Sequence, residues 1–319
     1  MIDPRPLSLK VRPMTLDDVP RVQEVGQEAW SGIASQDLGR KVKYPVRPRK
    51  IIEAYLWKEP RGCLVVEHEG AVVGAAYCHV WGKMGWFGPF EVLPEMQGKG
   101  VGRRLLGECE RFLVGEGCTL LGLETMSHIV RNVHFYLRAG YRPSGNSLIM
   151  ERTLSATVEE GTGMEPASLE DVQRALPEIR RLSARANPLA DHSKEALMAA
   201  ARSIGPVFIY ERRGRVRGLA ILHSYYPPTN ADHAAMRLLL VDPGVKDQEG
   251  VFDQLMRACE AWAFAKGRKR TFVRFSGDHL GMYQELISRG YKLDAANLRM
   301  SRGERFTERG SYHMAAWAG

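Results

Sequence analysis

The chain has 319 residues, 44% of them hydrophobic and 26% charged, with a formal net charge of +8; this composition supports a packed core and excludes wholesale disorder. No apolar run approaches the roughly 20 residues that cross a bilayer, and the polar, proline-rich stretch Met1–Pro13 lacks the apolar segment of a secretory signal, so a cytoplasmic protein without a membrane partner is expected. The charge is spread evenly, 21 basic against 17 acidic residues in 1–154 and 24 against 20 in the remainder, which argues against a nucleic-acid-binding arm and suits a small anionic ligand.

In chain order, a first strand leads to Thr15, a good helix N-cap, with Asp17 and Asp18 placed to complement the helix dipole. Cys63–Glu67 and Ala71–Val80 are β-rich runs around a glycine-containing turn and predict a hairpin. A strand over Phe87–Val92 precedes a glycine-rich loop. The helix predicted over Gly102–Glu116 places Leu105, Leu106, Cys109, Phe112 and Leu113 on one face. A strand over Leu120–Glu124, a helix over Val130–Ala139, and strands near Tyr141 and over Leu148–Arg152 complete the series. The order β-α-α-β-β-β-α-β-α-β predicts an α/β fold, an α+β mixed sheet with helices on both faces.

The series then begins again. Arg12–Val19 (RPMTLDDV) matches Glu165–Val172 (EPASLEDV) at an offset of 153, and Glu69–Gly74 resembles Arg213–Gly218. Cys109-Glu110 matches Cys259-Glu260, and Arg138–Tyr141 (RAGY) matches Ser288–Tyr291 (SRGY), both at an offset of 150. Four matches in one order at nearly constant spacing imply two copies of domain size. The expected boundaries are 1–154 for the first copy, 155–163 (SATVEEGTG) for a polar linker, and 164–319 for the second copy with a tail after Met300 that has no counterpart. In the second copy Ser168 is the N-cap, and Val207–Tyr210 and Val216–His223 form the hairpin about Gly214. Cys63, Cys78, Cys109, Cys118 and Cys259 are scattered, with no C-x-x-C pair and no histidine at ligand spacing; reduced thiols and no metal site are expected.

The chemistry concentrates at Val92-Leu93-Pro94-Glu95-Met96-Gln97-Gly98-Lys99-Gly100-Val101-Gly102-Arg103-Arg104-Leu105, which joins a strand to a helix. Alternate glycines let the backbone amides turn inward, and the helix start adds its own unpaired amides and positive dipole end. Together they make a nest for a pyrophosphate. A Walker A string is absent. A dinucleotide loop G-x-G-x-x-G finds its first two glycines in Gly98 and Gly100, but Arg103 stands where the third is required. Glu124 sits where a ribose-binding acid would, yet several strands precede the loop.

The string Val-x-Pro-x-x-Gln-Gly-x-Gly-x-Gly-Arg-x-Leu resembles the acetyl-CoA loop of the GNAT superfamily of N-acetyltransferases, whose core is Q/R-x-x-G-x-G/A. Leu123-Glu124-Thr125 followed by Phe135-Tyr136-Leu137-Arg138-Ala139-Gly140-Tyr141 is similar to the family's distal segment, which ends in Tyr-x-x-x-Gly-Phe/Tyr. The resemblance spans most of residues 10–152, and the second copy shares it weakly. It implies two tandem GNAT-like domains and acetyl-CoA as co-substrate, bound by Val92 and by Gln97, Gly98, Lys99, Gly100, Val101, Gly102, Arg103 and Arg104. Where many members carry a cofactor-contacting asparagine, this chain has Ile129.

In such enzymes the amine attacks the thioester directly within a ternary complex. Tyr136 occupies the family's tyrosine position and is the candidate acid for the departing thiolate. Its other reading is a tyrosine packed on the sheet. An amine that is largely protonated at neutral pH needs a base. Glu91 on the strand before the loop and Glu124 at the end of the next strand are the candidates, and each could instead be an ordinary strand carboxylate. Strand alternation sets Glu91 opposite Phe90 and Val92, without deciding which face meets the acceptor. His128 and His134 could relay protons but are expected at the surface, and His79 is expected to be structural. Trp30, the Lys41–Arg49 loop, Tyr55, Trp81 and Trp86 line either the acceptor pocket or the interface between copies. The acceptor is expected to be a small-molecule amine and the protein a monomer or homodimer; a CoA-binding sensor or interaction module without catalysis is the alternative. At an offset of 150, Gln97, Gly98, Lys99, Gly102 and Tyr136 become Asp247, Gln248, Glu249, Phe252 and Leu286, so the second copy is expected to have lost cofactor binding.

Overall fold

The computed structural model of the chain describes residues 7–155, 163–224 and 232–317. The first copy runs β1 (Leu9–Pro13), α1 (Val19–Leu38), α2 (Arg49–Lys58), β2 (Cys63–His68), β3 (Ala71–Trp81), β4 (Met84–Val92), α3 (Val101–Gly115), β5 (Leu120–Met126), α4 (Val130–Arg138) and β6 (Arg142–Thr153). This is the element order expected from the sequence. The second copy repeats it among the described residues without the expected opening strand, as α5 (Leu169–Ala186), α6 (Ser193–Ala201), β7 (Val207–Arg212), β8 (Arg215–His223), β9 (His233–Val241), α7 (Gln248–Ala265), β10 (Arg270–Ser276), α8 (Leu280–Ser288) and β11 (Lys292–Gly303), and adds β12 (His313–Ala315). The caps behave as their side chains dictate. Ser168 Oγ accepts from the Asp171 amide at 3.1 Å, and Thr15 opens a short 3-10 turn that runs into α1.

Two elements of the first copy also differ from the sequence expectation. β4 begins at Met84 rather than Phe87, because Met84, Gly85 and Trp86 pair with β5. The expected break between Tyr141 and Leu148 is absent, and β6 is one twelve-residue strand. It is held on both edges, by β10 and by β11, so Gly145 passes through the sheet at φ 139° instead of ending a strand.

All twelve strands form one sheet, in the order β1-β2-β3-β4-β5-β11-β6-β10-β12-β9-β8-β7. The two copies exchange their last strands. β11 runs antiparallel to β5 from Asn297↔Met126 to Gly303↔Leu120, and β6 runs antiparallel to β10 from Arg270↔Thr153 to Ser276↔Ser147. Each copy therefore finishes the other's sheet. Of the expected linker 155–163, residues 156–162 lie outside the described residues. The tail after Met300 returns to the sheet, where β12 lies between β10 and β9.

The core falls into two clusters. The larger packs α1, α2 and α3 on β2–β5 and extends to α5, α6 and Trp317; the smaller packs α7 on β9 and β10. The five cysteines are free and buried. Among the described residues no helix is long and apolar enough to cross a membrane.

Candidate active site

β4 and β5 pair in parallel only from Met84↔Leu120 to Trp86↔Gly122. Beyond Trp86, β4 remains bonded to β3 and β5 to β11, so the two strands diverge into a fork. The loop that follows β4 crosses the open end. Gly98 and Gly100 adopt φ of 75° and 86°, and Gly100 is the left-handed N-cap of α3. Chain neighbours aside, a Cβ on either would meet no atom of the described residues within 4 Å. Packing does not demand glycine there; the backbone conformation does, and the space in front is open. Lys99, Arg103 and Arg104 are exposed around it. Gln97 Nε2 donates to the Val92 carbonyl at 3.1 Å and ties the loop to the end of β4. A bent backbone at a helix start with a cationic rim fits a pyrophosphate, so the residues present suit acetyl-CoA.

The two faces of the fork carry different chemistry. β4 has an irregularity between Phe87 and Phe90, whose partners on β3 are Cys78 and Ala76, and both rings point to one face. There Tyr136 packs against Phe87 (6.1 Å between centroids), Phe135 (5.0 Å) and Tyr141 (6.4 Å). Its residue is 8% exposed. Burial raises the Tyr136 phenol well above its ordinary value, so it holds its proton. Its hydroxyl has no hydrogen-bond partner among the described residues.

Glu91 lies on the opposite face, against α1, as its partner Ala75 and the His79↔Trp86 pair require. It is 2% exposed. Arg47 donates Nη1 and Nη2 to its two oxygens at 3.0 and 2.8 Å, and Trp30 Nε1 donates at 2.8 Å. A Cβ on Gly26 would sit 3.0 Å from the carboxylate, so that glycine lets α1 approach. Glu124 shares this face, two residues beyond Gly122, whose Cα abuts the Trp86 ring. Its oxygens accept from Arg274 at 2.8 Å and from Arg299 at 3.1 Å. Both arginines belong to the second copy and reach Glu124 through the exchanged strands.

Arg274 and Arg299 have no signal in the sequence, because each stands at least 150 residues from the carboxylate it holds. Arg47 lies within the Lys41–Arg49 loop named as a lining candidate. That loop is strapped to α1 by Gln27 Nε2 to the Tyr44 carbonyl (2.8 Å) and Gln23 Nε2 to the Arg47 carbonyl (2.6 Å). The aromatic candidates separate into two groups. Trp30 stacks on Tyr44 beside Glu91. Trp81 and Trp86 meet Trp317 of the tail at 5.1 and 5.8 Å, and Tyr55 packs on Tyr77 and His79. His79 donates from Nε2 to the Gly88 carbonyl at 2.8 Å, and burial keeps it neutral. His128 is exposed and pairs with Asp37 at 3.0 Å; His134 is exposed.

The second copy's equivalent place is built differently. Asp247 caps α7, its Oδ1 accepting from the Gly250 amide at 2.9 Å. Phe252 is buried and stacks on Tyr312 at 4.7 Å. Gly250, the residue aligned with Gly100, lies inside the first turn of α7 rather than at a left-handed cap.

Residues 31–141, which include the loop, both carboxylates and Tyr136, match the acetyltransferase (GNAT) family. The whole fold is similar to solved structures. A Pyrococcus horikoshii protein described as an acetyltransferase has a TM-score of 0.70 at 14% identity, over 97% of this chain and 95% of that one. A GCN5-related N-acetyltransferase from Sphaerobacter thermophilus has a TM-score of 0.61 at 11% identity, over 98% of each chain. A tandem GNAT protein from the clavulanic acid biosynthesis pathway has a TM-score of 0.58 at 13% identity, over 93% of this chain and 98% of that one. No curated protein sequence matches the chain.

Proposed function

We propose that this chain, whose first copy carries a GNAT acetyltransferase domain, transfers an acetyl group from acetyl-CoA to the primary amine of a small molecule. The observation that carries this reading is the open cradle at Gly98 and Gly100, at the mouth of the β4–β5 fork. Gln97, Gly98, Lys99, Gly100, Val101, Gly102, Arg103 and Arg104 would hold the pyrophosphate, and Val92 would border the pantetheine. Acetyl-CoA, when bound, supplies the thioester.

The chain's own groups divide the proton work between the two faces of the fork. Tyr136 Oη carries a proton that burial retains, on the face away from α1, and would give it to the departing sulfur. Glu91 is the proposed base on the α1 face, taking the ammonium proton through water while Arg47 and Trp30 fix its orientation. Glu124 is the second candidate for that role. The domain assignment 1–154, 155–163 and 164–319 and a cytoplasmic setting complete the proposal, with cofactor bound once per chain.

Tyr136→Phe should lower kcat about 10²-fold or more with little change in acetyl-CoA affinity; unchanged turnover would return Tyr136 to a packing role. Glu91→Gln should lose activity most at low pH, where free amine is scarce, and recover as pH rises, whereas Glu124→Gln should lose it evenly. The reverse pattern would move the base to Glu124. One observation favours a second reading, a CoA-binding sensor without catalysis: both carboxylates are buried in arginine pairs. Tight acetyl-CoA binding without turnover of any amine across a broad panel would select it.

A further inference from the structure

We propose that the fork of the second copy is a site for an extended peptide strand, occupied by the chain's own C-terminal residues 313–315, and closed to acyl-CoA by that occupant. β9 and β10 pair in parallel only from Arg270↔His233 to Phe272↔Ala235 and then diverge, as β4 and β5 do. Among the described residues, the corresponding fork of the first copy holds no strand. In the second, β12 lies inside it. His313, Met314 and Ala315 run antiparallel to Leu240, Leu239 and Leu238, and Met314 is also opposite Phe275 on β10. The Val241 amide donates to the Tyr312 carbonyl at 3.1 Å, and the Ala316 amide donates to the Arg237 carbonyl at 3.0 Å. A strand between diverging edges satisfies backbone groups that would otherwise face a void, which is how extended peptides are captured by sheet edges.

Buried side chains within and just beyond the occupant secure it. Met314 and Trp317 are 0% and 1% exposed, and Trp317 lies among Trp81, Trp86 and His192. The occupant is reached through Glu304–Ser311, most of it exposed, with Phe306 packed on Trp86 and Trp317 and the Glu308 carboxylate against His279 and His313. The place of the phosphates is also taken, because the Asp247 carboxylate already accepts at the N-terminus of α7. A pyrophosphate there would meet a like charge where the first copy offers only open amides. The second copy thus keeps the geometry of a cofactor fork and has exchanged its ligand for a peptide.

The test cuts the tether in the folded protein. A specific protease sequence is inserted between Gly310 and Ser311, both exposed. After cleavage, residues 311–319 should stay bound through gel filtration. Excess labelled peptide of the same sequence should exchange into the site, and a peptide carrying Met314→Pro should compete at least tenfold more weakly. Loss of the fragment with no fall in melting temperature, or equal competition by the proline peptide, would overturn the proposal. In the uncut chain, Met314→Pro should speed amide exchange in β9 and β12 at least tenfold and leave β2 and β3 unchanged. Equal acceleration everywhere would show that the tail is part of one core and not an occupant of a cleft. Two equivalents of acetyl-CoA per intact chain in calorimetry would also refute it.

Discussion

Arg12 Nη1 and Nη2 donate to the two oxygens of Asp18, each at 2.7 Å, and Arg12 Nε reaches Glu67 at 2.7 Å. Asp18 also accepts from the Thr15 amide at 2.7 Å. The Arg12 bonds chiefly, with Thr15 and against burial, hold the Asp18 carboxyl at about 2. The folded value lies below the unfolded one, near 3.9, so this contribution is complete above pH ~4 and is lost as pH falls towards ~2. Asp18→Asn should therefore lower the melting temperature at pH 6, and the gap from the parent should close between about pH 4 and pH 2. A gap that stays constant across that window would show that Asp18 acts through packing alone. The cap was legible in the sequence from Thr15 and its acids. Arg12 and Glu67 were not, because their meeting depends on β1 lying beside β2.

At the scale of single elements, α3 and α7 show how one helix position can be open or closed. α3 starts from Gly100 in a left-handed conformation, with no side chain capping it and open space where a Cβ on Gly100 would sit. α7 starts from Asp247, which caps itself, and a Cβ on Gly250 would run into that carboxylate. The sequence aligns Gly100 with Gly250, and the two helix starts differ because an aspartate side chain caps α7 while no side chain caps α3. Gly100→Asp should weaken acetyl-CoA binding by more than about 10²-fold. It forces a Cβ-bearing residue to positive φ, at about 1–2 kcal/mol, and sets a negative charge in the proposed phosphate cradle. Since, chain neighbours aside, no atom of the described residues lies within 4 Å of the new Cβ, the protein should still fold. A variant that binds normally would remove the loop from the cofactor site, and calorimetry alongside thermal melting separates binding from folding.

At the scale of the molecule, the copies are joined by the exchanged strands and by a buried charge cluster. Lys58 from α2 meets Glu195 from α6 at 2.5 Å, and Arg237 from β9 and the Trp81 indole donate to the same carboxylate, each at 3.0 Å. Burial alone would raise the Glu195 carboxyl, but Lys58 and Arg237 outweigh it and hold it well below its usual range. Burial conversely lowers the Lys58 ammonium, against the pull of Glu195. Glu195→Ala would strip two buried cations of their shared carboxylate, a change that typically costs about 3–5 kcal/mol. It should lower the melting temperature and, because the sheet is continuous, do so in one transition that both copies share. Separate transitions for residues 1–154 and 164–319 would contradict a shared sheet.

The sequence by itself determined the element order of the first copy, the duplication, the glycine-rich turn before α3 and the loss of most of its glycines in the second copy. These depend on periodicity, turn chemistry and local spacing, which a linear chain displays. Only the tertiary structure decided which face of β4 carries Glu91, because alternation fixes opposition without direction. It also decided that Glu124 is held by Arg274 and Arg299, since their 150- and 175-residue separations close only when the final strands change places. The fate of the tail was likewise a tertiary matter. Residues 313–315 carry no local signature of a ligand, and they become one because β9 and β10 diverge and leave unpaired edges between them.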